Sequence, residues 1–317
     1  MLRILLVKTS SLGDVVHNLP VVSDIRRHAP DAAIDWVVDE AFAAIPRMHP
    51  RVRRVIPVAL RRWRRALLGS NTRTEICSFL GKLRACEYDA IIDTQGLLKS
   101  ALVARAARGM CYGLDWHSSR EPLRFLYDRT FRVPWTRHAV ARNRSLAAQA
   151  LGYTPSAEVA YGIAPQRRAF SWLPAARYAV LLHATSAERK LWPETDWIGL
   201  GKYLFSSGIF CVLPWGCNAE RGRSERVAAA ITDAIVPPAL ELEEVAALLA
   251  GAQGVVGVDT GLTHLAAALY VPTLGIYCAT DTAATGIHGC PRAMNLGDIG
   301  APPAPADVID AWKRLAT

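Results

Sequence analysis

Residues 254–270, GVVGVDTGLTHLAAALY, carry the densest chemistry in the chain: a β-branched run breaks at Asp259-Thr260-Gly261 and resumes with helical spacing. A strand, a tight turn and a helix start are expected there. The N–H groups and positive dipole end of a helix start attract anions, and a glycine lets backbone approach a phosphate with no Cβ in the way. Asp259 and Thr260 have the residue types that cap helices, and His264, one turn on, can donate to a phosphate or sugar oxygen. A capped helix with a partly buried histidine would carry the same residues, so this segment alone leaves both readings open.

Two further clusters follow apolar runs in the second half of the chain. After residues 178–182 come His183, Thr185, Ser186 and Lys190, and after residues 210–213 come Pro214-Trp215-Gly216 and Glu220. Hydroxyls and an ammonium suit a diphosphate without a metal, and a glutamate suits a ribose diol or sugar hydroxyl. At the N-terminus the run of residues 4–7 passes into Lys8-Thr-Ser-Ser-Leu-Gly-Asp14 and then a helical stretch. This is neither a Walker A loop nor Gly-x-Gly-x-x-Gly. Asp14 reads either as a solvated acid in a first helical turn or as a general base projecting into a cleft.

These clusters need strands that deliver them to one edge. In the first half, residues 4–7, 33–38, 52–58 and 90–93 are short and β-like, with helical patterns at 15–27, 39–47 and 74–86 between them. In the second half, strands are expected at 178–183, 210–214, 254–258 and 273–277, and helices at 196–206, 219–230 and 242–250. Such alternation implies parallel sheets with crossover helices. In such sheets ligands bind beyond the carboxyl ends of the strands, where the polar clusters lie. The pattern loosens at residues 152–176, a plausible linker. The expected organisation is therefore two α/β domains, 1–160 and 161–304, facing across a cleft. A last helix, at 305–317, packs either locally or back on the first domain.

Composition narrows the classes. The 317 residues allow two domains with separate cores. No run of about 18 uncharged apolar residues is present, and the N-terminal run is too short for a signal peptide, which points to the cytoplasm. Seven cysteines, with no Cys-x-x-Cys pair, argue against a zinc site or disulfide framework. Residues 1–160 hold 25 of the 37 Lys and Arg but 14 of the 28 Asp and Glu, a net of +11, while the remainder is slightly acidic. The basic excess is densest at Arg51–Arg54 and at Arg61-Arg62-Trp63-Arg64-Arg65. Such a cluster fits a polyanionic substrate, an anionic membrane surface or a solvated face; no nucleic-acid-binding signature accompanies it. A dinucleotide-dependent oxidoreductase would share the alternating pattern, but its glycine-rich fingerprint is missing. A basic adaptor without catalysis would need the arginines but not Asp14 or Lys190.

Taken in order, Lys8-Thr-Ser-Ser-Leu-Gly-Asp14, Arg61-Arg-Trp-Arg64, Asp93-Thr-Gln-Gly-Leu-Leu-Lys99-Ser, Asp115-Trp-His-Ser-Ser-Arg120-Glu-Pro, Lys190-Leu-Trp-Pro-Glu, Pro214-Trp-Gly and Val258-Asp-Thr-Gly-Leu-Thr-His264 span nearly the whole chain. They resemble the lipopolysaccharide heptosyltransferase I group of glycosyltransferase family 9, more closely than its heptosyltransferase II group. The resemblance implies a GT-B fold of two Rossmann-like domains, an N-terminal acceptor domain and a C-terminal domain for ADP-L-glycero-D-manno-heptose. The acceptor it implies is Kdo-lipid A, at the cytoplasmic face of the bacterial inner membrane, whose anionic surface would hold the enzyme peripherally. It assigns Asp14 as the base that deprotonates the Kdo hydroxyl and Lys190 as the cation neutralising the leaving diphosphate. Ser11, Gly13, Thr185, Ser186, Glu220, Leu240, Asp259, Thr260, Gly261 and His264 would hold the donor, and Arg61, Arg62, Arg64, Lys99 and Arg120 the acceptor. Ser186 and Leu240 stand where relatives can carry threonine and methionine, keeping a hydroxyl and an apolar contact. Inverting transfer needs one base and no second, nucleophilic carboxylate, and no Asp-x-Asp motif is present, so neither metal nor cofactor is expected.

Overall fold

The computed structural model describes residues 1–66 and 69–316. The chain divides into two compact units, Met1–Ile163 and Ala164–Thr317. The first has strands β1 (Arg3–Val7), β2 (Ala33–Asp39), β3 (Val52–Val58), β4 (Glu87–Asp93), β5 (Arg108–Leu114) and β6 (Arg129–Phe131). Its helices are α1 (Leu12–Val16), α2 (Leu19–His28), α3 (Ala44–Arg47), α4 (Leu60–Trp63), α5 (Ser70–Leu83), α6 (Leu98–Ala106) and α7 (Ala139–Leu151). All strands pair in parallel in the order β3-β2-β1-β4-β5-β6. The order turns back on itself between β1 and β4, the switch point beyond whose carboxyl ends ligands of such sheets bind.

The central strands are legible because parallel strands covered on both faces are nearly continuous apolar runs. Ile4, Leu5, Leu6 and Val7 are all fully buried. The buried Asp35 on β2 is satisfied by Arg53, Arg54 and Tyr88. A second buried pair, Arg144 Nε to Asp24 Oδ2 at 2.6 Å, ties α7 to α2.

The second unit has β7 (Tyr178–Leu182), β8 (Phe210–Val212), β9 (Gly254–Val258), β10 (Thr273–Ile276) and β11 (Ala293–Leu296), with α8 (Glu194–Ser206), α9 (Asn218–Ala228), α10 (Leu242–Gly251), α11 (Gly261–Ala268), α12 (Thr282–Thr285) and α13 (Pro305–Ala316). Its parallel order, β11-β10-β9-β7-β8, places the switch point between β7 and β9. The last helix, α13, packs on α8, β10 and β11. Val308, Ala311 and Trp312 bury in the core with Trp197 and Leu200, and Trp192 Nε1 donates to Pro303 O just before that helix.

Several expected elements differ. The helix expected at 15–27 is split into α1 and α2 because Pro20, at the start of α2, cannot donate its nitrogen to a preceding turn. The helix expected at 39–47 becomes a short 3₁₀ turn and α3, with Pro46 inside. The strands β5, β6 and β11 and the helices α6 and α7 carry no clear periodicity in sequence. Arg108-Gly-Met-Cys-Tyr-Gly-Leu is a strand because the sheet edge at β4 pairs with it. No helix or strand occurs at residues 152–177.

Candidate active site

In the first unit the loops after β1 and β4 are locked together. Lys8 is buried, and its Nζ donates to Thr94 O at 2.9 Å. Thr9 N and Ser10 N donate to Gln95 Oε1 at 3.0 and 3.1 Å, and Lys99 Nζ donates to Ser10 Oγ at 2.9 Å. The anchor is Asp93, at the end of β4 and wholly buried, which accepts from Tyr127 OH, Ser100 Oγ and Gln95 N, each at 2.8 Å. Burial pushes its carboxyl up, while those hydrogen bonds oppose the shift. Gly113 is required for this arrangement, because a Cβ there would collide with the Tyr127 ring. Burial likewise lowers Lys8, against the attraction of Asp14 and Asp93.

Asp14 is half-buried at the start of α1. Its Oδ2 accepts from Ser11 N at 2.9 Å and Ser11 Oγ at 3.0 Å. Those bonds fix the carboxylate and leave Oδ1 as the oxygen with lone pairs to offer. The geometry therefore gives Asp14 a capping role and a base-competent oxygen together.

The expected acceptor residues fall into two groups, the first being Arg120, which shares an aromatic platform with a further arginine. Arg142 lies with its guanidinium carbon 3.5 Å from the Trp135 ring centroid, and Arg120 stacks on the same ring at 5.8 Å. Arg142 Nη2 donates to Ser118 O at 2.8 Å, and its buried Nε has no partner among the described residues. Burial and then the like charge of Arg120 lower Arg142 to about 10. Two crowded guanidinium groups on an aromatic platform, without a carboxylate between them among the described residues, favour an anion. The second group is at α4. Arg62 is taken up by Glu40 and Glu75, at 3.0 and 2.8 Å. Arg61 and Arg64, together with Lys99, border a groove of about 640 Å³ whose apolar wall includes Trp63, Phe79 and Leu102.

In the second unit, Asp259 is the hub. Its Oδ2 accepts from Lys190 Nζ and from Thr280 Oγ1, both at 2.6 Å, and its Oδ1 lies 3.6 Å from His264 Nε2. Thr185 Oγ1 donates to Asp259 O at 3.1 Å, joining the loop after β7 to the loop after β9. Burial works to raise the Asp259 carboxyl, but His264, Lys190 and Thr280 outweigh it and hold it well below the usual carboxylate range. Thr260 occupies the N-cap position of α11, yet its side chain makes no capping hydrogen bond. Side-chain capping by Asp259 and Thr260, expected from sequence, is thus not what these residues do: Asp259 turns to Lys190, and the amides at the start of α11 are not capped by a side chain. Gly257 makes room for this turn, since a Cβ would strike Thr263 Oγ1, which donates to Val258 O at 2.7 Å.

The loop after β8 joins the same edge through α9. His183 Nε2 and Ser224 Oγ share a 2.8 Å hydrogen bond, and Arg223 Nη2 donates to Trp192 O at 2.6 Å. Glu220, in the first turn of α9, accepts from Gly216 N at 2.7 Å. Ser186 is exposed and Leu240 half-buried just ahead of α10. Thr280 and Arg142 were not foreseen. Thr280 follows β10, the neighbour of β9, and was findable by extending the strand-end search one strand further; Arg142 lies on α7, which has no clear signature. Among the described residues no group of three His, Cys, Asp or Glu side chains could hold a metal ion.

Two parallel α/β units, each with its polar residues at the switch point of its sheet, are the architecture of the GT-B glycosyltransferases. The structure of an Escherichia coli heptosyltransferase, WaaC, with ADP superposes with a TM-score of 0.90 at 41% identity, covering 100% of both chains. The same protein with ADP-2-deoxy-2-fluoro heptose gives 0.86 at 41% identity, covering 99% of both chains. Lipopolysaccharide heptosyltransferase 1 of Escherichia coli K12 is 46% identical over 291 residues, 91% of each chain, and that of Pseudomonas aeruginosa is 48% identical over 292 residues, 91% of this chain and 82% of the other. The pattern of glycosyltransferase family 9 (heptosyltransferase) matches residues 76–304. The chain belongs to that family and is a glycosyltransferase, which disposes of the oxidoreductase and adaptor readings.

Proposed function

We propose that this enzyme transfers L-glycero-D-manno-heptose from its ADP derivative to a Kdo hydroxyl of Kdo-lipid A, in assembly of the lipopolysaccharide inner core, with inversion and without a metal. The observation that carries the reading is the Lys190–Asp259–Thr280 assembly beside the start of α11 at a sheet switch point, in a chain so similar to one solved with ADP. Lys190, still held by Asp259, turns its remaining N–H donors to the diphosphate as charge grows on the leaving group, and the amides at the start of α11 add fixed dipoles. Asp259 is then a positioning residue for Lys190 and His264. Thr185, Ser186, Glu220 and Leu240 complete the donor contacts of the second unit; Ser11 and Gly13 are donor residues by the family resemblance. Asp14 Oδ1 takes the proton from the attacking hydroxyl. Arg120 and Arg142 bind an acceptor carboxylate, while Arg61 and Arg64 take the lipid phosphates.

No helix among the described residues is long and apolar enough to cross a membrane, and the basic excess of the first unit supports peripheral attachment to the anionic cytoplasmic face of the inner membrane. The test is transfer from ADP-heptose to de-acylated Kdo-lipid A in the presence of a chelator, with the anomeric configuration of the product read by NMR. A product of inverted configuration is expected. Retention, dependence on added Mg²⁺, or no transfer to this acceptor would overturn the reading.

A further inference from the structure

The first unit has an apolar projection that its core does not use and that only Leu102 shares with the groove beside α4. Phe125 is 93% exposed, Leu102 55% and Leu98 51%. Leu98 and Leu102 are one turn apart on α6 and share a face. Phe125 stands on the 3₁₀ turn Arg124–Leu126, which packs against α6. The turn is anchored from below: Leu123 and Tyr127 are buried, Leu126 packs against the same core, and Leu98 N is held by Glu121 Oε2. Phe125 is therefore outside because its neighbours are fixed inside, not because the segment is loose.

The projection continues into the groove beside α4. Leu102 lines that groove, and Arg61, Arg64, Arg65 and Lys99 stand around it. Arg124 is exposed next to Phe125. Arg61, Arg64, Arg65 and Arg124 have no ion-pair partner among the described residues. Asp39 also lines the groove, but apolar side chains projecting from a rigid base and bordered by several arginines that no carboxylate pairs among the described residues are complementary to a surface that is anionic outside and apolar just beneath.

We propose that Phe125, Leu98 and Leu102 form a membrane-docking face that inserts into the interfacial layer of an anionic bilayer, with Arg124 and Arg65 on the headgroups. The inference rests on the peripheral-membrane reading above and names the surface responsible. Because Thr9 lines the same groove and adjoins the loop that carries Asp14, docking on this face would bring the base loop to the level of the headgroups.

The test is co-sedimentation of the full chain with vesicles of phosphatidylcholine, alone or mixed with phosphatidylglycerol. None contains acceptor, so binding does not depend on transfer. The wild type should bind the mixed vesicles, less at high salt, and not the neutral ones. Phe125→Ser should lower the partition coefficient about tenfold, the scale for withdrawing one large apolar side chain from the interface, and Phe125→Trp should restore it. Turnover on de-acylated acceptor should be the same in Phe125→Ser as in the wild type, which also shows that the variant is folded. Equal partition of wild type and Phe125→Ser, or no binding to mixed vesicles, would overturn the assignment. So would light scattering that shows a dimer in the wild type and a monomer in Phe125→Ser, because the face would then belong to a second copy. Failure of turnover in the wild type would instead defeat the proposed reaction.

Discussion

Replacing Lys190 by alanine should do more damage to ADP binding than the loss of one contact. A charge-assisted hydrogen bond to a phosphoryl oxygen contributes about 1.5–3 kcal/mol. The substitution also uncovers Asp259, whose side chain is only 9% exposed and whose Oδ2 is 2.6 Å from the lysine. A bare carboxylate about 6–12 Å from a diphosphate charge, at an effective dielectric near 20, adds a repulsion of roughly 1.4–2.8 kcal/mol. Together these give a loss of about 10²-fold or more in ADP affinity. Lys190→Ala/Asp259→Asn removes the uncovered charge and should recover about tenfold of that loss, although it has one more residue changed. Calorimetric titration with ADP in chelator measures all four corners of the cycle, and turnover should fall further because leaving-group charge peaks in the transition state. Stability should drop modestly in Lys190→Ala, by about 1–3 kcal/mol, since the lysine side chain is 26% exposed and the full cost of breaking a buried pair does not apply. If Lys190→Ala binds ADP within about threefold of the wild type, or the double variant binds no better than the single one, the role of Lys190 as the cation between Asp259 and the diphosphate is refuted.

Asp14→Asn should keep ADP-heptose affinity and lower turnover by about 10² or more; single-turnover kinetics near the wild-type rate would remove Asp14 from the chemistry. Arg61→Ala/Arg64→Ala should raise the acceptor KM about tenfold or more with the donor KM unchanged, an effect that shrinks in high salt. Arg62→Ala should raise it less, because Glu40 and Glu75 already hold that guanidinium; an equal effect in steady-state kinetics would refute the distinction. Burial, reinforced by Arg223, lowers His183 to about 4 against an ordinary value of 6.5. Its contribution to stability is therefore complete above about pH 6.5 and lost as pH falls towards about 4, up to about 3 kcal/mol. His183→Gln should flatten the urea-midpoint profile between those limits, and an unchanged slope would count against a neutral buried imidazole.

The sequence by itself determined the strands at both switch points and the loops that leave them. Ile4–Val7 and Gly254–Val258 are uninterrupted apolar runs because strands covered on both faces cannot alternate. A polar turn directly after such a run is legible without knowing its neighbours, so Asp14, Lys190, Asp259 and Thr260 stand out as candidates by position alone. It also separated the basic first half from the second, since charge is a sum over residues and needs no fold.

Only the tertiary structure decided what these groups touch. Asp259 reads as a helix cap until β7 and β10 bring Lys190 and Thr280 to its carboxylate, from 69 and 21 residues away in the chain. Arg62 reads as one of four equivalent arginines until Glu40 and Glu75 arrive from separate elements. The Arg120–Trp135–Arg142 stack joins a loop to α7, a helix whose sequence has little apolar periodicity because tertiary packing, including the Arg144–Asp24 pair, holds it in place. β5, with two glycines and an arginine, is a strand because β4 offers it a ladder of unpaired backbone groups. Local pattern fixes which residues lie at a strand end, whereas charge pairing and edge pairing are contacts between distant segments and exist only once the sheet order is set.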